Sequence, residues 1–297
     1  MAKRGDPVDG VLLLDKPAGL SSNAALQRVR HLLNAQKAGH TGTLDPMATG
    51  LLPLCFGNAT KFSADLLDAD KAYEARVRLG ITTDSGDAEG VVLEERPVHV
   101  TLAEINAAAA RFLGNIDQVP PMYSALKRNG ECLYEIARRG ETVEREPRRV
   151  RIDTLEVKDF DGTSFTMITR VSKGTYIRVL AEDIGRALGC GAHLVALRRT
   201  RVGELTLERA VSLETLQACA SVADARLKLE AADALLQSLP AVSLTDTDAA
   251  RLMQGQRLAL GLSIRGRARV YGPEKELLGT ALINERGVLQ PERLIAH

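Results

Sequence analysis

Residues 38–60 read AGHTGTLDPMATGLLPLCFGNAT, and their four glycines and two prolines predict a loop rather than a helix. Asp45 is the only carboxylate in this stretch, and His40 and Cys55 are its only other ionisable side chains. Because leucine and proline neighbours partly remove Asp45 from water, its ionised form needs a cation or hydrogen-bond donors as partners. An ionised Asp45 can act as a nucleophile or a base. The alternative interpretation is that Asp45-Pro46 only starts a turn.

The segments on either side of this stretch alternate irregularly between strands and helices. Residues 10–15 form a short apolar run that predicts a buried strand, and Ser21-Ser22-Asn23 caps an amphipathic helix that extends to about Asn34. Residues 73–80 alternate like a strand. The same signals predict a helix through residues 107–112 opened by a Thr101–Glu104 capping box, a hairpin of residues 151–157 and 164–171, and a helix over residues 178–188 ended by Gly189. This arrangement indicates an α+β fold.

The C-terminal end of the chain differs in composition from the rest. Residues 211–239 are rich in alanine and leucine and predict a helical region that ends near Leu239-Pro240. Residues 251–297 contain eight Lys or Arg against four acidic residues, whereas the first 250 residues contain 31 against 34. Short alternating runs separated by Gly and Pro predict a small β-rich module there. We therefore expect two domains, residues 1–240 and residues 245–297.

Composition excludes several classes of protein. The chain has 297 residues, a formal net charge of +1 and 45% hydrophobic residues, which indicates a folded protein and argues against a uniformly basic nucleic-acid coat. No apolar run reaches the roughly 18 residues of a membrane span, and no secretion signal is recognisable, so we expect a cytoplasmic protein. Scattered cysteines and unpaired histidines argue against a metal site. Neither a P-loop nor a dinucleotide-binding motif is present, so we expect no nucleotide cofactor.

Residues 172–178, SKGTYIR, form a polar and basic turn at a predicted strand–helix junction. An arginine at the start of a helix opposes the helix dipole, so Arg178 is expected to be held by an acidic residue elsewhere. Asp45 is one candidate partner. The alternative is a surface ion pair with Glu182, four residues further along the helix.

Basic residues recur in several short stretches of the chain. They are Lys127-Arg128, Arg138-Arg139, Arg148-Arg149 with Arg151, and Arg198-Arg199 with Arg201. Between residues 120 and 151 they are interleaved with Tyr123 and Tyr134. This pattern fits RNA, because tyrosines stack on splayed bases while Lys and Arg contact phosphates. Ordinary solvated helix faces are the alternative interpretation.

Several of these motifs, taken in order, carry a resemblance to a known family. They are GVLLLDKPAGLSS (10–22), KAGHTGTLDPMATGLLPLCFGNATK (37–61), KAYEARVRLG (71–80), PPMYSALKRNGECLYEIARRG (120–140), SKGTYIRVLAEDIG (172–185) and HLVALRRTRVG (193–203). Together they resemble the TruB family of bacterial pseudouridine synthases over about residues 10–215, and GHTGTLDP is the most specific of them. Ser21 stands where that family often has Thr. The basic C-terminal module takes the place of the family's PUA-type RNA-binding domain.

The resemblance implies a fold and an activity. The fold is that of pseudouridine synthases, with a mixed, largely antiparallel central sheet flanked by helices and a small β-rich PUA-like domain. The activity is isomerisation of uridine 55 in the TΨC loop of tRNA to pseudouridine, with no cofactor. Asp45 would act at C1′ of the ribose, as a nucleophile or by promoting a glycal. Arg178 would hold Asp45 ionised, and Tyr73 would stack on the target base.

The resemblance also implies how the tRNA is held. A stacked loop uridine must be flipped outward, at a cost of a few kcal/mol, and His40 would fill the gap that it leaves. Lys16, Tyr176 and Leu197 match positions that line the family's active site, and Thr43 of the GHTGTLDP motif is expected to contact RNA. An insertion over about residues 120–150 would grip the T-arm, and the C-terminal module would meet the acceptor stem. We expect a monomer with no obligatory protein partner and no membrane contact.

Other functions remain open at this point. A tRNA-binding folding chaperone could use the same surface without essential catalysis. An RNA-guided synthase of the dyskerin type shares the catalytic motifs, but the insertion over residues 120–150 and the lack of long basic extensions disfavour it. A general glycosidase is disfavoured because the usual mechanism needs two positioned carboxylates and the loop offers only Asp45.

Overall fold

The computed structural model describes residues 5–128 and 130–295; residues 1–4, Asn129, Ala296 and His297, which fall in the expected domains and insertion, lie outside it. Up to residue 240 its strands are β1 (Gly10–Lys16), β2 (Ala38–His40), β3 (Thr49–Phe56), β4 (Lys71–Leu79), β5 (Ile81–Thr83), β6 (Val92–Glu95), β7 (Gly114–Gln118), β8 (Lys127–Arg128), β9 (Glu131–Cys132), β10 (Arg148–Lys158), β11 (Ser164–Val171), β12 (Ala192–Val202), β13 (Leu205–Thr206) and β14 (Val211–Ser212). The helices of this part are α1 (Ser22–Leu32), α2 (Ser63–Leu67), α3 (Leu102–Ala110), α4 (Leu133–Arg138), α5 (Ile177–Ala187), α6 (Leu213–Gln217) and α7 (Val222–Arg226), with 3₁₀ turns at Gly57–Phe62, Leu207–Arg209 and Ala232–Leu236. These bounds confirm the elements predicted around residues 10, 22, 73, 101, 151, 164 and 178.

A large mixed sheet organises this part of the chain. Its strand order is β14-β1-β3-β12-β4-β11-β10-β7, with β2 and β13 paired alongside β3 and β12. The β1–β14 and β3–β12 pairs are parallel and the other pairs are antiparallel. Helices α1, α3 and α5 pack their apolar residues onto one face of the sheet. The predicted α+β fold, with a mixed and largely antiparallel sheet flanked by helices, is confirmed.

Strand β1 is buried on both faces, which explains its continuous apolar run. Leu12 and Leu14 face the core under α1, α3 and α5, whereas Val11 and Leu13 face a second core on the other side of the sheet. That second core also contains Phe62 and residues of α2 and of the 3₁₀ turn at Ala232–Leu236. Since successive side chains of a strand point to opposite faces, a strand covered on both faces shows no polar alternation.

The loop prediction for residues 38–60 is correct only for residues 41–48, because the stretch starts in strand β2 and its second half is largely strand β3. Thr49–Phe56 is strand β3, whose residues from Gly50 onward are buried between β1 and β12. Pro53 is tolerated because the β2–β3 ladder ends beside it. Its carbonyl accepts a hydrogen bond from Thr41 N at 3.2 Å, but its ring nitrogen cannot return one. Pro53 therefore marks the point where the chain after β2 leaves the sheet.

The helical prediction for residues 211–239 is only partly correct. The segment contains the short helices α6 and α7 and a 3₁₀ turn, rather than one continuous helix. Ser221 starts α7 afresh as an N-cap, and Glu230 exchanges two main-chain hydrogen bonds with Val11 of β1, at 2.7 and 2.8 Å. Pairing with the edge of β1 thus pulls the chain out of helical conformation at that residue.

The C-terminal residues form a β-rich module with its own core. Its elements are β15 (Ala241–Ser243), α8 (Asp246–Met253), β16 (Leu258–Ala259), β17 (Gly266–Tyr271), β18 (Leu277–Ile283) and β19 (Val288–Leu294), in the sheet order β15-β17-β18-β19-β16. The predicted β-rich C-terminal unit is thereby confirmed. Leu277 and Ile295 pack against the second core of the large sheet, so the module is seated on the rest of the protein. The division into domains at residues 240–245 stays a prediction.

Candidate active site

Residues 41–48, which connect β2 to β3, are named the Asp45 loop here. Ser22 Oγ at the start of α1 accepts a hydrogen bond from Leu44 N at 2.7 Å and lies 3.0 Å from Leu44 O, to which it can donate. Pro46 O accepts hydrogen bonds from Gly19 N at 2.8 Å and from Lys16 Nζ at 3.3 Å. The loop is therefore fastened to β1, to the turn after it and to α1.

The structure brings Asp45 and Arg178 into contact. Arg178 Nε lies 3.0 Å from Asp45 Oδ2, and the arginine side chain is 5% exposed while the aspartate side chain is 37% exposed. The other guanidinium nitrogens donate to Ser85 O at 2.7 Å and to Tyr123 O at 2.6 Å. Glu182, the alternative partner from the sequence, forms no ion pair with Arg178 within the described ranges.

Asp87 is a further member of this cluster that the sequence did not reveal. Its Oδ2 lies 3.6 Å from Arg178 Nε, and its side chain is buried. Asp87 Oδ1 accepts hydrogen bonds from Ser85 Oγ at 2.6 Å and from Glu89 N at 3.1 Å. In the sequence this residue looks like any aspartate in a Gly-bounded turn, so no local signal distinguished it. Arg178 thus lies between one exposed and one buried carboxylate.

Lys16, expected to line the site, supports it from below. Its side chain is fully buried, and Nζ donates to Pro17 O at 2.8 Å, to Leu20 O at 2.7 Å and to Pro46 O at 3.3 Å. Burial lowers the pKa of Lys16 to about 8, although the Asp45 carboxylate acts in the opposite direction. All three ammonium protons have main-chain acceptors, so Lys16 holds two turns together.

Tyr73 and Leu197 lie on the same face of the sheet. Tyr73 in β4 pairs with Arg199 in β12, and Leu197 pairs with Ala75, so the two predicted residues are close neighbours on adjacent strands. Leu197 is buried and Tyr73 is half-buried against the core. Tyr176 precedes α5, and its main chain exchanges two hydrogen bonds with the Gln118 side chain. Burial raises the pKa of the Tyr176 phenol.

His40 and Thr43 lie before Asp45 on the same segment. His40 ends β2 opposite Leu54, and its Nδ1 is buried with no hydrogen-bond partner among the described residues. Burial and the Arg199 guanidinium lower the pKa of His40, which favours a neutral ring at pH 7. A neutral imidazole is suited to stacking on bases rather than to pairing with phosphate. Thr43 is exposed at the surface of the Asp45 loop.

The basic stretches do not all form a free surface. Arg199 is 1% exposed, so neither the RNA-contact nor the solvated-face interpretation applies to it. Several others are paired with acidic residues of the same chain: Arg139 with Glu131 and Glu141, Arg151 with Asp70 and Asp153, Arg198 with Asp15, and Arg201 with Glu204. Within the described ranges Lys127, Arg128, Arg138, Arg148 and Arg149 form no ion pair, although Arg128 donates to Glu144 O. These five remain the candidates for phosphate contacts near the site.

Two further features of the described chain bear on its chemistry. Across residues 5–128 and 130–295 there is no group of three or more His, Cys, Asp or Glu side chains that could hold a metal ion. His297 lies outside these ranges. No helix of the described chain is long and apolar enough to cross a membrane. The ionisable groups gathered at the Asp45 loop include two aspartates, two arginines, one lysine, one histidine and the Tyr176 phenol.

Comparison with known proteins gives the same picture over the whole chain. Residues 30–177 match the N-terminal domain of TruB family pseudouridylate synthases, residues 178–242 the tRNA pseudouridylate synthase B C-terminal domain, and residues 240–295 the pseudouridine synthase II TruB C-terminal domain. The tRNA pseudouridine synthase B of Ralstonia nicotianae is 61% identical, covering 97% of this chain and 94% of its own length. That of Burkholderia mallei is 58% identical over 99% of both chains.

Solved structures agree with this assignment. A Cbf5-Nop10-Gar1 complex contains a chain that superposes with a TM-score of 0.74 at 27% identity, covering 96% of this chain and 84% of its own length. The archaeal box H/ACA sRNP Nop10-Cbf5 complex gives 0.72 at 25% identity, covering 99% and 91%. On the strength of the full-length relatives, this chain belongs to the TruB family of pseudouridine synthases.

Proposed function

We propose that this enzyme is a tRNA pseudouridine synthase that isomerises uridine 55 in the TΨC loop of tRNA. The observation that carries the proposal is the Asp45–Arg178 ion pair at 3.0 Å, formed between two motifs that are far apart in the sequence. Relatives of about 60% identity that span the whole chain are named tRNA pseudouridine synthase B, which supports tRNA as the substrate. A tRNA substrate also implies a cytoplasmic location.

Asp45 carries the central step in this proposal. Arg178 binds Oδ2, whereas Oδ1 receives no hydrogen bond from the described residues and is available to the substrate. In one route Oδ1 attacks C1′, the N1–C1′ bond breaks, and the uracil leaves as an anion that stays bound. In the other route Asp45 takes the C2′ proton as the N1–C1′ bond breaks, which gives a glycal and the uracil anion. In both routes uracil rotates and C5 bonds to C1′; this displaces the Asp45 carboxylate from C1′ in the first route, and in the second route the proton returns to C2′. The C5 proton is then lost and N1 gains a proton.

Residues around Asp45 hold the flipped nucleotide. The target uridine is extruded from the stacked loop, and the neutral His40 ring takes its place against the neighbouring bases. Tyr73 stacks on the uracil and can assist in removal of the C5 proton. Tyr176 and Leu197 line the base pocket, and Thr43 contacts the RNA from the surface of the Asp45 loop. Lys16 acts indirectly, through Pro46 O.

The remaining basic surface binds the body of the tRNA. The insertion over about residues 120–150 grips the T-arm with its unpaired cations and with Tyr123 and Tyr134. The insertion also contacts the Asp45–Arg178 pair, because Tyr123 O accepts a hydrogen bond from Arg178. The C-terminal module, residues 245–297, meets the acceptor stem. We propose a monomer that needs no protein partner.

A guide-dependent activity is the second candidate, because two solved structures of similar fold contain Cbf5 in a complex, one with Nop10 and Gar1 and the other in an archaeal box H/ACA sRNP. A folding chaperone is the third. The three candidates differ in what the purified chain does alone: a stand-alone synthase modifies naked tRNA, a guided one needs its RNA and protein partners, and a chaperone binds without chemistry.

Tritium release tests the proposal. The purified chain is incubated with an unmodified tRNA transcript that carries C5-tritiated uridine, and the modified position is mapped. Wild type is expected to release one tritium per tRNA from position 55, whereas Asp45→Asn releases none and binds tRNA within about 3-fold of wild type. Asp68→Asn, which alters an exposed aspartate paired with Lys173, serves as control and should retain full activity.

Tight tRNA binding by the wild type without tritium release would contradict the proposal and favour the chaperone or guide-dependent alternative. Tritium release by Asp45→Asn would contradict only the role of Asp45 and not the proposed reaction. A large loss of tRNA binding in Asp45→Asn would instead assign this residue to binding.

A further inference from the structure

Among the residues that the structure describes, Arg199 is the largest side chain that is fully buried. It lies in the middle of β12 and is 1% exposed, whereas Arg198 and Arg201 on the same strand reach the surface and pair with Asp15 and Glu204. Burying a guanidinium costs far more than burying an apolar side chain of the same size. A residue that only filled this space would be apolar, so the contacts of Arg199 need a separate explanation.

Within the described ranges, the side-chain hydrogen bonds of Arg199 all go to main-chain carbonyls on either side of Asp45. Nε donates to Leu51 O at 2.8 Å, Nη2 donates to Gly42 O at 3.2 Å, and Nη1 makes a long contact of 3.5 Å to Thr43 O. No carboxylate of the described residues lies within ion-pair distance of this guanidinium. Two of these acceptors precede Asp45 and one follows it. Arg199 therefore joins the two ends of the segment that carries Asp45.

The main chain of Arg199 fixes the same segment. Arg199 pairs with Gly50 of β3, and a Cβ on Gly50 would stand 2.3 Å from Arg199 O and 2.8 Å from Arg199 N. Gly50 also has a φ of +99°, which disfavours other residues. Side chain and main chain of Arg199 thus hold the exit of the Asp45 loop, and its side chain also reaches the entrance.

The positive charge of Arg199 is felt by the groups around it. Burial lowers the pKa values of Lys16 and Lys71, each to about 8, and of His40, and the Arg199 charge lowers all three further. Three neighbouring bases are therefore harder to protonate because this arginine is present. The buried Arg199 charge disfavours protonation of its neighbours, and no carboxylate of the described residues neutralises it. Its hydrogen bonds to main-chain carbonyls are therefore the interactions that favour an arginine at this position.

We infer that Arg199 is a positioning residue of the isomerisation, which sets the main chain of the Asp45 loop so that the Asp45 carboxylate meets both Arg178 and the ribose. This inference rests on the proposed role of Asp45. The middle of the loop is held independently by Ser22 and Lys16, so loss of the Arg199 contacts shifts the loop without releasing it from the protein.

The test compares Arg199→Lys and Arg199→Gln with wild type. Lysine keeps the charge and glutamine keeps an amide donor, but neither can reach carbonyls at both ends of the loop. The single-turnover rate constant at saturating enzyme is expected to fall about 100-fold in both variants, since a misplacement near 1 Å has an effect of this size. The dissociation constant for tRNA should stay within about 3-fold of wild type.

Hydrogen exchange gives a readout that does not depend on activity. The amides of Thr41 and Ala48, bonded to Pro53 O and Asp45 O, should exchange faster in both variants, while that of Leu44, which Ser22 Oγ holds independently, and those of β4 should not change. The matched control is Arg226→Lys. Arg226 also donates from Nε to a main-chain carbonyl, that of Leu33, but it holds the end of α1. Its rate constant should equal that of wild type.

An unchanged rate constant in folded Arg199→Lys and Arg199→Gln would overturn the inference. Global unfolding of both variants would overturn it as well, because Arg199 would then hold the sheet rather than the loop. If wild type itself releases no tritium while exchange at the loop still rises in the variants, the proposed function fails and Arg199 keeps only its hold on the loop.

Discussion

The Asp45 loop and the C-terminal module both depend on arginines, but the two regions use them differently. Arg178 and Arg199 are almost fully buried, and their nitrogens are bound by carboxylates and main-chain carbonyls at fixed positions. Arg267 and Arg293 of the module are 33% and 40% exposed, and both approach Asp65 in helix α2, outside the module. Buried arginines fix geometry, whereas exposed ones add little stability and keep surface charge available.

The contact at Asp65 joins the module to the rest of the protein through polar groups. Arg267 forms a close ion pair with Oδ1 of Asp65, but Arg293 Nη1 stands 3.7 Å from Oδ2, too far for a hydrogen bond, and Oδ2 is buried without a hydrogen-bond partner among the described residues. Two hydrogen bonds of 2.8 Å lie beside it, from Lys61 Nζ to Leu294 O and from Arg293 Nη1 to Lys61 O. Apolar packing of Ile295 and Leu277 accompanies these polar contacts.

The largest effect is expected from Gly50→Ala, which breaks the main-chain contact at the Asp45 loop. The new Cβ would meet Arg199 O at 2.3 Å, so the unfolding free energy should fall by about 3–5 kcal/mol. Gly162→Ala is the matched control, because Gly162 has the same φ of +99° with open space around it and should cost about 1–2 kcal/mol. Urea unfolding measures both; equal losses would show that strain alone, and not the contact with Arg199, sets the cost.

A smaller effect is expected from neutralising the unpaired charges of the C-terminal module. Arg257, Lys275 and Arg286 are exposed and form no ion pair within the described ranges. The variant with all three residues changed to Gln should bind tRNA less tightly. The slope of the logarithm of its tRNA association constant against the logarithm of salt concentration should become shallower by about 2, because fewer phosphate contacts form and fewer counterions are released on binding. The single-turnover rate constant should not change. Arg111→Gln, which alters an exposed arginine that follows α3, serves as control. An unchanged salt slope in the triple variant would refute phosphate contacts by the module.

The smallest effect is expected from Arg267→Gln at the contact between the module and Asp65. Because the Arg267 side chain is one-third exposed, loss of its ion pairs with Asp65 and Glu292 should lower the unfolding free energy by about 1 kcal/mol or less, equivalent to about 2–4 °C in melting temperature. Calorimetry measures the shift, with Arg186→Gln on the exposed side of α5 as control. A loss of several kcal/mol would show that the module is held by this charge rather than by apolar packing.

Local patterns in the sequence predicted the elements whose causes are local. Ser21 and Thr101 cap their helices as expected, and both caps need only residues within one turn. Strand β3 was missed because its Pro53 and Gly50 look like loop residues until β1 and β12 cover them on either side. The prediction of a continuous helix over residues 211–239 was wrong for a similar reason. The main chain of Glu230 forms its hydrogen bonds with Val11 of β1, which is distant in the sequence.

The sequence by itself determined that Asp45 is an isolated carboxylate that needs a cation, and that an arginine at the start of a helix needs an acid. It also indicated the family, because the order and spacing of the motifs can be observed in the sequence without a structure. Only the tertiary structure decided that Arg178 pairs with Asp45 rather than Glu182, that Asp87 shares the same guanidinium, and that Arg199 is buried beneath the loop. A charge pair or a buried charge depends on which distant strands become neighbours, and that proximity is not encoded in any local window of residues.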